Sequence, residues 1–158
     1  MIRTVAEKMG IKKDSRAILV NAPTEAIAEI DLPSLNIASR LTGYFDYIHL
    51  FARSESELRK KFPKLKSHLK PEGKLWVSWA KNGQLGTDLS LTKIIEIGYG
   101  FGLVESTSLS VDSTWSALKF THPKKGKIYN NSHGKLVLCQ CRLTDAALAI
   151  EFFESIYN

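Results

Sequence analysis

The chain has 158 residues, 44% hydrophobic and 24% charged, with a net charge of +6. That length suits one domain able to bury roughly two thirds of its unfolded surface, and no apolar run approaches the ~20 residues of a membrane span. Two cysteines, Cys139 and Cys141, separated by one residue on an expected strand, point the same way but lie too far apart for an easy disulfide and are too few for a metal site, so they read as reduced thiols.

The first residues, "MIRTVAEKMGIKKD", lack the apolar core of an export signal and read instead as a helix. Thr4 and Glu7 have capping-box spacing, and Gly10 supplies the stop. "RAILV" (Arg16–Val20) is a continuous apolar run, as in a strand covered on both faces. "NAPTEAIAEI" follows, with Pro23 ending the strand and Thr24 placed to cap a helix carrying Ile27 and Ile30. "LNIASRL" (Leu35–Leu41) reads as a second strand and "FDYIHLFA" (Phe45–Ala52) as a central one, with His49 a hydrogen-bonded core residue.

Ser54 and Glu57 form a second capping box. Leu58, Phe62, Leu65 and Leu69 then make one helical stripe, with Pro63 expected to kink or split the helix. "PEG" (Pro71–Gly73) reads as a turn before the strand "KLWVSWA". Trp76 and Trp79 lie three apart and must face opposite sides of that strand. A third helix, "SLTKIIEIGYGFGL", is capped by Thr87 or Asp88. A hairpin follows with its turn near Asp112 and Ser113, and Trp115 and Phe120 are expected in the core. "KLVLCQCRL" and "TDAALAIEFFESIYN" complete the chain as strand and helix.

This alternation predicts a three-layer, Rossmann-like α/β fold, with a mostly parallel sheet and a C-terminal antiparallel hairpin. Residues 1–125 form the single α/β domain. Residues 126–158 are a strand–helix extension, packed on that domain or on a second copy of the chain.

In such a sheet, ligands bind outside the carboxyl ends of the strands, where strand order reverses. The loops Asn21–Thr24, Arg53–Ser54 and Trp79–Asp88 meet that description. Helix starts at Thr24 and Ser54 would offer backbone donors to an anion, with Arg53 and Lys81 adding charge. The candidate ligand-binding residues are therefore Asn21, Thr24, Arg53, Ser54, Lys81, Thr87, Asp88 and Asp112. Each has a plainer reading: Lys81 as a solvated loop lysine, Thr87 and Asp88 as caps, Asp112 as a turn residue. His68, His122 and His133 lie among lysines, and no nucleophile elbow or phosphate loop occurs.

The motifs "EKMGIK", "NAP", "HLFARSESEL", "WVSWAK", "TDL", "GLVE" and "VDSTWSALKF" together resemble a family of uncharacterised bacterial proteins, a domain of unknown function. They run from Glu7 to Phe120. The chain departs from that pattern at Ala80, where the family has proline, and beyond about Lys125. The resemblance implies no mechanism. More distantly, "FDYIHLF", "LKPEGKLWVSW" and "VDSTWSALKF" are similar to the second half of a class I methyltransferase, which implies a methyltransferase-like sheet. The loop "NAPTE" lacks the glycines that let a backbone approach a cofactor, and "NIASRLTG" lacks the acid for a ribose. No cofactor and no metal are expected.

The leading expectation is a non-catalytic binding or regulatory module, cytoplasmic, taking a small anionic or nucleotide-like ligand at the carboxyl edge of the sheet. One alternative is a small enzyme acting on an anionic metabolite or nucleotide through Lys81, Asp88 and Asp112. Another, less favoured, is an accessory protein contacting RNA through the basic run Arg59–Lys70, whose bland reading is a solvated helix face. No membrane partner is expected, and the C-terminal extension is a candidate for pairing two copies of the chain.

Overall fold

A computed structural model describes residues 4–124, 128–131 and 134–137. The elements in order are α1 (Val5–Met9), β1 (Arg16–Val20), α2 (Thr24–Ile30), β2 (Asn36–Ile37), β3 (Phe45–Phe51), α3 (Glu55–Lys66), β4 (Leu69–Ala80), α4 (Leu91–Gly100), β5 (Val104–Ser110) and β6 (Trp115–Thr121). A separate hairpin, β7 (Ile128–Asn131) and β8 (Gly134–Val137), follows. The main sheet has the order β2-β1-β3-β4-β6-β5, parallel through β4 and antiparallel for the last two strands. This is the Rossmann-like arrangement expected from the alternation of elements.

Strand pleating sends alternate side chains to two cores. Ile48, Leu50, Val77, Trp79, Leu118 and Phe120 pack under Leu58, Phe62 and Leu65 of α3 and Ile94 and Ile97 of α4. Tyr47, Phe51, Trp76, Trp115 and Ala117 pack under Ala6 and Met9 of α1 and Ala26 and Ile30 of α2. The two tryptophans of β4 thus take opposite faces. Helix α2 covers one face and α3 the other, so the connections leaving β1 and β3 diverge.

The local signals explain the helix ends. Thr4 and Glu7 close a full capping box, and Gly10 adopts the left-handed conformation at φ 72°. Ser54 caps α3 through its hydroxyl, which accepts from the Glu57 amide.

Several expectations change. The strand near Leu35–Leu41 is only the two-residue β2, both residues exposed at the sheet edge. "PEG" is not a turn, because β4 runs through it. The register with β3 slips between Phe45 and Tyr47 there, absorbing the extra residues as an irregularity. Helix α3 continues through Pro63, which stands in its last turn, where only one hydrogen bond is lost. Helix α4 is capped by Ser90, not by Thr87 or Asp88. Of the last expected strand, Lys135–Val137 is described, within β8, which pairs with Ile128–Asn131 in its own small sheet. Cys139, Cys141 and the final helix lie outside the described residues.

Candidate functional site

Because β1, β3 and β4 are adjacent and parallel, their carboxyl ends emerge side by side. Side chains tie the three following loops together. Asn21, left-handed at φ 57°, follows β1, and its Nδ2 donates to Glu57 Oε1 of α3 at 3.4 Å. The same carboxylate accepts from the Arg53 amide at 3.3 Å. Asp88, in the loop after β4, accepts from the Glu55 amide at 2.8 Å. Between β1 and β3 the chain diverges to opposite faces, which is where an open sheet leaves a crevice.

The expected residues divide by what they do there. Asn21, Arg53, Ser54 and Asp88 meet around the start of α3. Thr24 does not cap α2. It is the first helical residue, and the preceding Pro23 holds the cap position with no side chain able to accept. At the start of α3 two of the amides an anion would use are already engaged: the Glu57 amide donates to Ser54 Oγ and the Glu55 amide to Asp88. Glu55 and Glu57 also put negative charge on that first turn, which the helix dipole favours but an anionic ligand would not.

Lys81 is held by the far hairpin. Its amide donates to Thr114 O at 2.7 Å, and its ammonium donates to Ser110 Oγ and the Asp112 carbonyl, both at 2.5 Å. The Asp112 carboxylate accepts from the Thr114 and Trp115 amides at 2.8 and 2.7 Å, an Asx-type turn. Gln84 Nε2 adds a bond to Ser113 O at 3.2 Å. The irregular segment Lys81–Gly86, with Asn82 and Leu85 at positive φ, is thereby strapped to the β5–β6 turn. Thr87 Oγ1 accepts from the Leu89 amide at 3.1 Å.

A buried polar chain lies below the rim. Tyr47 Oη is 2.6 Å from His49 Nδ1, and His49 Nε2 is 2.6 Å from Ser78 Oγ. His49 is fully buried and stacked on Phe51 with ring centroids 4.3 Å apart. Burial pushes its pKa down to about 3 and raises that of Tyr47, so the chain of three is neutral.

Three of the six cations in the basic run Arg59–Lys70 serve the fold. Arg59 pairs with Glu55 at 3.0 Å, Lys70 with Asp46 at 3.1 Å, and Lys66 donates to the Phe101 carbonyl at 2.6 Å. Lys60 and Lys64 are left exposed and Lys61 half-buried, a thinner patch than the sequence suggests. Among the described residues no group of three potential metal ligands occurs, and no helix is long and apolar enough to cross a membrane.

The residue missed at the sequence level is Glu57. Its place three residues after Ser54 was legible, but the expected capping box forms only in part: Ser54 Oγ accepts from the Glu57 amide, while the Glu57 carboxylate accepts from the Arg53 amide instead of the Ser54 one. What the sequence did not reveal is that Asn21, 36 residues earlier, reaches the same atom.

No family model matches the chain, and no curated protein does. Solved structures do. Precorrin-6y C5,15-methyltransferase from Geobacter metallireducens aligns with 75% of this chain and 86% of its own at a TM-score of 0.53 and 9% identity. The ribosomal protein L11 methylase of Lactobacillus delbrueckii subsp. bulgaricus covers 76% and 78% at 0.50 and 16%. The N-methyltransferase NodS of Bradyrhizobium japonicum covers 76% and 91% at 0.50 and 14%. At these identities the likeness is one of fold: this is a methyltransferase-like α/β sheet.

Proposed function

We propose that the chain is a binding or regulatory module, without catalysis of its own, that takes a small nucleotide-like ligand in the crevice between the ends of β1 and β3. One observation carries this reading: polar groups from the two diverging loops, Asn21 and the Glu57 carboxylate, converge at the switch point of the sheet. A ribose diol offers two donors to such a carboxylate, and an amide beside it supplies both a donor and an acceptor. The acids on the first turn of α3 favour the nucleoside portion over a phosphate. S-adenosyl compounds are natural candidates, since one structural neighbour is a TehB-like SAM-dependent methyltransferase from Corynebacterium glutamicum.

A binding role is supported over a catalytic one by how the other polar groups are used. Lys81, Thr87, Asp88 and Asp112 are each committed to backbone atoms or to the neighbouring hairpin. An enzyme acting through Lys81, Asp88 and Asp112 would have to break those contacts first. Membership of the uncharacterised bacterial family, resting on the quoted motifs, is compatible with such a module.

Calorimetric titration with S-adenosylhomocysteine, S-adenosylmethionine, adenosine and ATP tests the reading. Saturable binding by a nucleoside-bearing compound is expected, weakened about tenfold or more in Glu57→Gln, as for loss of a charge-assisted hydrogen bond. Absence of binding across the set defeats the ligand assignment. Transfer of label from S-adenosylmethionine by the intact protein defeats the non-catalytic one.

A further inference from the structure

The loop after β4 carries the one asparagine of the chain that is followed by glycine, Asn82–Gly83. Both residues are exposed, and a Cβ at Gly83 would meet nothing within 4 Å. Both are left-handed, Asn82 at φ 51° and Gly83 at φ 73°. Asparagine and glycine accept that conformation more readily than other residues, which suits them to this turn. The same pair is chemically vulnerable. With no side chain on Gly83, its backbone nitrogen is open to approach by the carboxamide before it.

Anchors of unequal strength stand on either side. The Lys81 amide donates to Thr114 O, and its ammonium donates to Ser110 Oγ and the Asp112 carbonyl. Gln84 is tied to the same hairpin by one neutral bond, from Nε2 to Ser113 O at 3.2 Å. Hydrogen bonds from a charged donor are the stronger kind, so the Gln84 side yields first. Such local openings need far less free energy than unfolding of the sheet.

We infer that Asn82 is a site of spontaneous covalent modification, gated by the Gln84 anchor. When that anchor opens, the Gly83 nitrogen attacks Asn82 Cγ. The N–Cγ bond forms, the Cγ–Nδ2 bond breaks, and Nδ2 leaves as ammonia with the proton from the Gly83 amide. Water then opens the cyclic imide at either carbonyl, giving aspartate or isoaspartate. Water is the only co-reactant, and nothing is oxidised or reduced. In the isoaspartate the main chain runs through the former side chain, adding one backbone atom between Lys81 and Gln84. The Gln84 bond to Ser113 is then not re-formed, and the loop carries one more negative charge. None of this depends on the reading given to the rim.

The test incubates the intact protein in mildly alkaline buffer at body temperature, with a parallel sample in urea. Peptide mass spectrometry should find a gain of about 1 Da at Asn82, ahead of Asn21 and Asn36. In the folded protein Gln84→Ala should speed this gain several-fold, and Gly83→Ala should slow it several-fold. In urea the wild type and Gln84→Ala should convert at one rate, since no anchor remains. The isoaspartate form, separated by ion exchange, should show faster hydrogen exchange over residues 81–87. The inference is overturned if folded Asn82 stays intact while the urea sample converts, if another of these asparagines reacts first, or if Gln84→Ala leaves the folded rate unchanged. Equal exchange in the modified and unmodified forms overturns the release of the loop. Should Gly83→Ala fail to fold, Gln84→Ala and the urea comparison decide the matter.

Discussion

Acidifying the protein from about pH 8 to about pH 5 should remove about 2 kcal/mol of stability through His49 alone. In the unfolded chain the imidazole takes its proton near pH 6.5; in the fold, burial pushes that value down to about 3. Between those limits the unfolded state binds the proton and the folded state does not, so stability rises with pH across this window and is lost as pH falls. At pH 5 the unfolded chain has gained about 1.5 pH units of protonation advantage, each unit being worth about 1.4 kcal/mol. The folded His49, bonded to Tyr47 and Ser78, has gained almost none. Urea unfolding at a series of pH values measures the slope. His122, half-buried and also depressed, chiefly by burial, contributes in the same direction, so the comparison must be with His49→Gln. That variant should be less stable at neutral pH but show a slope smaller by the His49 share. Identical slopes in the two proteins, or an NMR titration of His49 centred near 6.5, would refute the reasoning.

Helix α4 offers a paired test of packing. A Cβ at Gly98 would lie 2.1 Å from Phe120 Cε1, whereas one at Gly100 meets nothing within 4 Å. Gly98→Ala should therefore cost about 1–3 kcal/mol from overpacking, reduced by the better helix propensity of alanine. Gly100→Ala should stabilise by up to about 1 kcal/mol in the same urea titration. Lys81→Met removes two charge-assisted hydrogen bonds to the β5–β6 turn and should destabilise by about 1–3 kcal/mol without changing ligand affinity at the rim. An unchanged midpoint, or a lost ligand, would return Lys81 to the candidate site. Asp88→Ala should cost about 1 kcal/mol by uncovering the Glu55 amide, with Asp88→Asn recovering most of it in thermal melts.

Local chemistry written in the sequence determined the elements of this protein. Thr4, Ser54 and Gly10 act on their own neighbours, within three or four residues, so their roles could be read before any fold was known. The same holds for the apolar runs of β1 and β3 and for the opposite facing of Trp76 and Trp79, which follow from the strand period alone. Even the meeting of the three carboxyl-end loops was implied by the parallel order of strands.

Tertiary structure decided what the polar residues do, because their partners are distant in the chain. Asp88 caps α3 rather than α4: its carboxylate accepts from the Glu55 amide, and Ser90 takes the cap of α4. Lys81 looks like a solvated loop lysine until the hairpin folds back and presents Ser110 and the Asp112 carbonyl to it. Thr24 loses its capping role because the chain places Pro23 at the cap position. Glu57 becomes a rim carboxylate only when β1 delivers Asn21 beside it. A hydrogen bond needs two groups at one point in space, and one-dimensional spacing specifies that point only when both belong to the same turn.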